Sequence, residues 1–550
     1  MRLPPLFQLG VLLATTALWS ACSDAPGSSS AKPVTSIVTL DQGWDPATRE
    51  SFHFTTQGSE IVPYDWFLVL EQADGSRRFA ADENMASYRY IPTPPSERNP
   101  DGLPIGFVKH VDAQTGTAYA GLTCAACHST QINYQGTGIF IDGAGTLGDF
   151  NTMFDDLIAA LNATATDTAK FDRFAATVLG PGQTAEQADT LLGQLVAQTS
   201  VLQTHQQVNA TPTKQGFARV DAFGVIFNEL LVTALDEPSN VQPPVDPVSY
   251  PFLWTTAQLD LVQWNGSASN AGLIGPLTRN VGEVIGVFGG LDLVPGSKTG
   301  YPSTIDMHNL GDLEKWVGEL LSPQWPGDIL PPIDTAAAAR GQAVYAAHCA
   351  GCHQLIDRTD TDLDIAVTMV PASEVGTDAS MATNFADRTG LTGALEGTPE
   401  DVIAGDDFAA TAAGSAVLDN AVIGALLYRP LAGLESAIED YRRIKKAATF
   451  DPVSYKARPL NGIWATAPYL HNGSVPSLYE LMLPPAQRSK TFYVGGREYD
   501  PVHVGFLTSE TPGAFLFDTT LSGNANSGHS YGAALTDEER WGLIEFLKTL

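Results

Sequence analysis

Residues 335–353 read TAAAARGQAVYAAHCAGCH, an alanine-rich run that ends in Cys349-Ala350-Gly351-Cys352-His353. Alanine is the best helix former, so the run predicts a helix delivered straight into the cysteine pair. Two thiols at this spacing can add to the two vinyl groups of a haem, and the histidine that follows then lies under the iron as proximal ligand. Small residues between the cysteines let the loop pass close to the porphyrin edge. The same pattern occurs earlier as Cys124-Ala125-Ala126-Cys127-His128. A lone C-x-x-C also reads as a zinc site or a redox dithiol. Two complete C-x-x-C-H motifs instead predict two covalently bound c-type haems, with His128 and His353 on the irons.

Outward from the second motif, the chain closes with ALTDEERWGLIEFLKTL, where Thr536 and Glu539 stand in capping-box positions ahead of an amphipathic helix. A helix entering C-x-x-C-H and a terminal helix carrying aromatics are the frame of a class I cytochrome c domain. The expected fold is therefore mainly α: two class I cytochrome c-like haem domains with long loops and extra N-terminal and inserted segments. Proline-rich SPQWPGDILPPID (322–334) is expected to divide an N-terminal haem domain with insertions (35–330) from a C-terminal cytochrome c domain (335–550). A second proline-rich stretch, QPPVDPVSYP (242–251), reads as a linker or loop. Apolar spacing predicts helices over 146–163 and, behind the capping pair Thr184 and Gln187, over 184–207. Residues 35–115 read as strands and loops more than helices.

The 550 residues suit two or three domains, and 44% apolar against 17% charged residues is enough to bury large cores. A formal charge of −31 excludes nucleic acid as a partner, since phosphate binding needs a basic surface. It suits solubility, or a basic or neutral redox partner. Residues 1–21 form an export signal: Arg2, then LFQLGVLLATTALWSA, too short for a good membrane span. Leu18-Trp19-Ser20-Ala21-Cys22 resembles a lipobox with an atypical Trp19; ordinary cleavage after a small residue is the alternative. Residues 22–34 read as a flexible tether. The expected location is periplasmic or secreted in a bacterium, as an outer-membrane lipoprotein if Cys22 carries lipid, which would be the only membrane contact. The other four of the five cysteines are taken by the two motifs, so no disulfide is needed.

Eight further histidines compete as distal ligands. His529 stands out in NANSGHSYG, a Gly/Ser/Asn loop just before the terminal helix, and is the expected second ligand of the second haem; Met482 is the alternative. His348 reads as a helix residue, and His53, His110, His308 and His503 as surface or satisfied core residues.

These motifs, with GLTCAACHSTQINYQGTGIFIDG, QWNG, RNVGEVIGVFG and RPLNGIWATAPYLHNGSVPSLYELM, resemble the bacterial diheme cytochrome c peroxidase superfamily. Within it, the GHSYG loop and the long insertions are most similar to the diheme rubber oxygenases and secreted fatty-acid dioxygenases. The likeness covers roughly residues 100–150, 215–290 and 335–550, and APYLHNGS resembles the peroxidase signature APY(F/M)HDGS. It implies an active N-terminal haem and an electron-transfer C-terminal haem, with Trp264 between them. It also implies Glu283 as an acid-base group over the active haem, with Arg279 and Asn280 beside it. The peroxidases' distal histidine on the first haem has no match, because His205 falls about five residues too early and reads as a helix residue. Phe288, Phe252 and Trp254 are expected to wall the distal side. Thr466 and Pro468 match carbonyl positions of the peroxidase calcium site, but Ala218 falls near its asparagine, so calcium is not predicted. His471, with Tyr469 nearby, is expected to hydrogen-bond near the propionates.

Three functions fit these residues. One is an oxygenase using O2 at the first haem on an apolar unsaturated small molecule or polymer. A second is a peroxidase reducing H2O2 with electrons from a small redox protein. The third is a non-catalytic electron carrier. The missing distal histidine and the GHSYG loop favour the first.

Overall fold

The computed structural model describes residues 32–272, 274–439 and 449–550. The segment 1–21 expected to act as an export signal, Cys22 and most of the expected tether lie outside the described residues. The fold is mixed α/β, with 39% helix and 15% strand spread over many small sheets, which corrects the expectation of a mainly α protein.

The reason lies at the first motif. Cys124–Cys127 is a single helical turn entered from the strand Ala118–Leu122 and left directly into the strand Ser129–Tyr134. Ala118–Leu122 pairs antiparallel with Phe107–Val111 and with Val62–Pro63. Ser129–Tyr134 turns at Gln135 and Gly136, both at positive φ, into Thr137–Asp142. That pair of positive φ values is the turn chemistry of a tight hairpin. Ser36–Thr39 then adds in parallel on the far edge of Thr137–Asp142. The first motif is thus clamped between two small sheets. The helix-into-motif frame of residues 335–353 does not extend to it.

The second motif is built as its sequence predicts. The helix Thr335–His348 starts where Asp334 accepts the Ala336 and Ala337 amides, and it runs into Cys349. It crosses the terminal helix Asp537–Leu547 at Gly341, so closely that a Cβ there would meet the Gly542 carbonyl. Tyr345 and Phe546 pack beside the crossing, 5.2 Å between ring centroids. The Thr536/Glu539 capping box is present in full.

The predicted helices around 146–163 and 184–207 appear as Phe150–Thr166 and Ala185–Val208, the latter behind the Thr184/Gln187 box. Together with residues from Ile61 onward they form their own apolar cluster. Residues 35–115 contain three helices, Pro46–Phe54, Tyr64–Val69 and Asp82–Ser87, as well as strands. A larger core runs from Trp44 to Leu547, with Trp254 and Trp464 wholly buried in it. Trp325, from the proline-rich stretch 322–334, packs edge-on to Trp464 at 5.4 Å. Among the described residues no single helix is long and apolar enough to cross a membrane.

Candidate functional site

The turn Cys124–Cys127 is held by short local bonds: the His128 amide to the Cys124 carbonyl at 3.0 Å, and the Thr146 amide to the Cys127 carbonyl at 2.9 Å. Ala125 and Ala126 are buried, and Gly106 passes so close to Ala126 that neither position has room for a larger side chain. The thiols and His128 face a cavity of about 850 Å3. Burial holds the His128 pKa down to about 4, against the opposing pull of the Pro251 carbonyl, so the ring is neutral and has a lone pair to offer a metal. Its Nδ1 is buried and makes no hydrogen bond of ordinary geometry, so the Pro251 carbonyl acts on the ring only weakly.

The structure brings the sequence-predicted residues Trp264, Arg279 and Glu283 to this same cavity. Glu283 comes from the helix Gly275–Gly286 and accepts a hydrogen bond from Gln263 Nε2 at 2.8 Å. Surrounding protein desolvates the carboxylate in part, while the side chain keeps exposed surface along the cavity. Burial raises its pKa above the usual carboxylate value, with Arg279 pulling the other way. Arg279 is engaged elsewhere, paired with buried Glu314 and donating to Asn270 Oδ1 at 2.6 Å. Trp264 donates its indole N–H to the Ser249 carbonyl at 2.8 Å. It packs into a small apolar cluster with Tyr455, whose ring stacks on His471 at 4.1 Å.

His205, read from the sequence as a helix residue, does lie on the helix Ala185–Val208, but its side chain lines the cavity too. It is sandwiched by Phe288 at 4.8 Å and Phe154 at 5.4 Å, and its Nδ1 lies 3.5 Å from Glu229. Of the aromatics expected on the distal side, Phe288 backs His205, while Phe252 and Trp254 stack on each other at 4.7 Å in the core. The aromatic lining is instead drawn from Phe150, Phe154, Phe217, Phe223 and Phe515, among others. The stretch 242–251, read as a linker or loop, supplies Ser249, Tyr250 and Pro251 to the same wall. Sequence reasoning also missed Lys456 and Arg458, two cavity-lining basic residues. Their positive charge within a short strand-and-loop segment was the only available signal.

The second motif faces His529. Its ring and that of His353 lie 6.3 Å apart between centroids, at an interplanar angle of 53°. The His353 Nδ1–H donates to the Arg458 carbonyl at 2.7 Å. A carbonyl can only accept, so this bond fixes the tautomer and leaves Nε2 with its lone pair free. Burial lowers the pKa of both rings, that of His529 to about 3. His529 is held at φ 45° by its own amide to the Val375 carbonyl and by Arg488 on its carbonyl. Gly528 packs directly against the Gly376 backbone. Met482 is core, with Gly532 resting on it.

The remaining histidines take structural roles. His53 bonds buried Asp142 at 2.7 Å, His110 bonds Thr56, and His503 bonds Asp500. His348 ends its helix at the surface, and His308 sits in the first turn of the helix Met307–Glu319.

Both sites fit a haem on the residues present. Two neutral imidazoles 6.3 Å apart leave room for one iron at ~2 Å from each ring nitrogen. At the first site, two cysteines and a neutral histidine border a cavity of cofactor size.

Two C-x-x-C-H motifs, one clamped between small sheets and one framed by a helix pair, each opening on such a space, define a cytochrome c-like haem protein. The family described as RoxA-like, cytochrome c-like matches residues 454–493, which points to the RoxA-like diheme cytochromes and to a haem oxidoreductase. The chain belongs to the family of the Sinorhizobium fredii protein y4iJ, to which it is 31% identical over 94% of both chains. A second Sinorhizobium fredii protein, y4iM, is 28% identical over 61% of this chain and 72% of its own length. Both relatives are uncharacterised.

Proposed function

We propose that the chain is an exported diheme c-type oxidoreductase that uses O2 in the His128 cavity to oxidise an unsaturated apolar substrate, with the second haem in electron transfer. The observation that carries this reading is the cavity itself, where Glu283 and the rings of Phe150, Phe154 and Phe223 share one space with His128.

A haem held by Cys124, Cys127 and His128 would supply the redox-active iron at which oxygen is activated. The chain's own residues set the conditions around it. The aromatic wall excludes water and offers the apolar surface that a substrate without polar groups needs for binding. Glu283 retains its proton to higher pH than an exposed carboxyl and can hold it at Oε2, since Gln263 already occupies Oε1. At the second site, His353 and His529 would both hold the iron, which suits electron transfer and leaves no opening for substrate. Trp264, which lines the first cavity and packs with Tyr455, is the aromatic group that this reading uses as a path between the two.

A peroxidase is the second reading, and His205 is the observation that favours it. A histidine on the cavity wall would be a further residue able to hold the iron in the resting protein. Optical and EPR spectra of the holoprotein, as isolated and after dithionite, with and without oxygen, separate the two. An oxygen-dependent spectrum from one haem, with the other low-spin throughout, supports the oxygenase. Two low-spin haems indifferent to oxygen would sink it; opening of one on half-reduction would then indicate the peroxidase.

A further inference from the structure

One residue reaches the surroundings of both motif histidines. Arg458 is buried and follows directly on the strand Ser454–Ala457. Its carbonyl takes the His353 Nδ1–H at 2.7 Å. Its guanidinium points the other way, to the wall of the first cavity. There Nη1 donates to the Phe252 carbonyl at 2.9 Å, and Nη2 donates to the Trp254 carbonyl at 2.7 Å and to Thr255 Oγ1 at 3.0 Å. The cation also lies 3.6 Å over the Phe252 ring.

The loop gripped in this way leads directly out of Tyr250 and Pro251. The Tyr250 ring meets His128 edge-on at 6.4 Å, and the Pro251 carbonyl acts on the same imidazole. Trp254 adds a second tie, donating its indole N–H to the Asn461 carbonyl three residues past Arg458. The link therefore runs from His353 through the Arg458 backbone, then its side chain, to the residues that shape the His128 pocket.

The charge is unusual as well. Every hydrogen-bond acceptor of the Arg458 guanidinium is a neutral oxygen, and its Nε is buried without a partner. Enclosing a cation in this way is costly, and a packed apolar side chain would be the cheaper filler. What an apolar residue cannot do is hold several carbonyls in a fixed fork, or place positive charge between two redox centres. Lys456, two residues earlier on the strand Ser454–Ala457, lines the same cavity, but burial holds its pKa well below the usual lysine value, so the lasting positive charge there is that of Arg458.

We infer that Arg458 is a positioning residue shared by the two haem sites: its carbonyl orients His353, and its guanidinium holds the 250–256 loop against the His128 pocket. The inference rests on the diheme reading. Positive charge near an iron favours the reduced state, so the same residue raises both reduction potentials together.

The test uses the full holoprotein with Arg458→Met and Arg458→Lys. Haems per chain are counted and the far-ultraviolet circular dichroism is compared with wild type. Each haem's reduction potential and EPR g values are then measured. In R458M both potentials fall and both sets of g values move. In R458K the potentials return toward wild type, while the g values stay displaced, because an ammonium cannot reproduce the fork. Two haems and a native fold with only one haem affected, or neither, overturn the inference and leave the diheme reading standing. One haem per chain overturns both. If R458M does not accumulate, the g values of R458K decide: displacement at both haems supports the shared role, and displacement at one or none overturns it.

Discussion

The rings of His353 and His529 face each other 6.3 Å apart, although 176 positions of sequence separate them (529 − 353). Each is held from behind by backbone: His353 by the Arg458 carbonyl, His529 by the Val375 carbonyl on its amide. An imidazole pair fixed in this way is set up for a metal before the metal arrives, and little reorganisation is left to be made on binding.

Replacing His529 by alanine should remove one axial ligand and no packing of consequence. The expected outcome is loss of one of two low-spin signals in the EPR spectrum, with both haems still covalently attached through their cysteines. Methionine at 529 should restore a low-spin site at a higher potential, since a thioether favours the reduced iron more than imidazole does. An unchanged spectrum in H529A would remove His529 from the second site and return Met482 to consideration.

Glu283 gives a pH prediction with a definite sign. Burial raises its folded-state pKa above the ordinary 4.5, so the folded chain binds a proton more tightly than the unfolded chain there. Stability from this group is full below the unfolded pKa and is lost as pH rises through the folded one. Glu283→Gln, which cannot ionise, should therefore raise the melting temperature at neutral pH and leave it unchanged at pH 4. If the protonated carboxyl serves in turnover, the same variant should also abolish the alkaline limb of the rate profile. A melting temperature that drops in E283Q at neutral pH would mean that the ionised form is the stabilised one.

His205 is the residue on which the oxygenase and peroxidase readings part. Its ring is packed between Phe154 and Phe288, with Glu229 at Nδ1, and these contacts hold it in place without a metal. Under the oxygenase reading, His205→Ala leaves the resting spectrum of the first haem unchanged and lowers turnover by no more than about tenfold, the order expected for lost packing in a pocket. A switch of the first haem from low-spin to high-spin in H205A would identify a resting ligand and favour the peroxidase.

The two halves of the chain were unequally legible. Around the second motif, local signals agree: alanine propensity, an aspartate cap, a capping box and a terminal amphipathic run all specify the same pair of helices. Around the first motif the controlling features are strand pairings between distant segments, such as Ser36–Thr39 on Thr137–Asp142, which no local pattern announces. Extending the helical frame of residues 335–353 to residues 124–128 produced the mainly α expectation, and the two flanking strands overturn it. The site followed the same division. Cysteines and histidines in a motif announce themselves, and Trp264, Arg279 and Glu283 were reached by resemblance and do meet at one cavity. Lys456 and Arg458 were missed because a basic residue near a strand normally reads as solvent-facing, and only the tertiary fold turns these two inward.

The helix crossing beside the second motif offers a stability test with its own control. At Gly341 an added Cβ would lie 1.9 Å from the Gly542 carbonyl oxygen, a contact that backbone cannot relieve without separating the helices. Gly341→Ala should therefore destabilise despite alanine's better helix propensity, by about 1–3 kcal/mol as for other overpacked cores. Gly193, in the middle of Ala185–Val208, has nothing within 4 Å of the same added atom. There propensity acts alone, and Gly193→Ala should stabilise by up to about 1 kcal/mol. Denaturant melts of the holoprotein measure both. Because the Gly341 crossing sets the direction in which the helix Thr335–His348 enters Cys349, G341A should also displace the second haem's EPR signal and leave the first unchanged. Equal effects at positions 341 and 193 would show that the crossing is loose and does not position the motif.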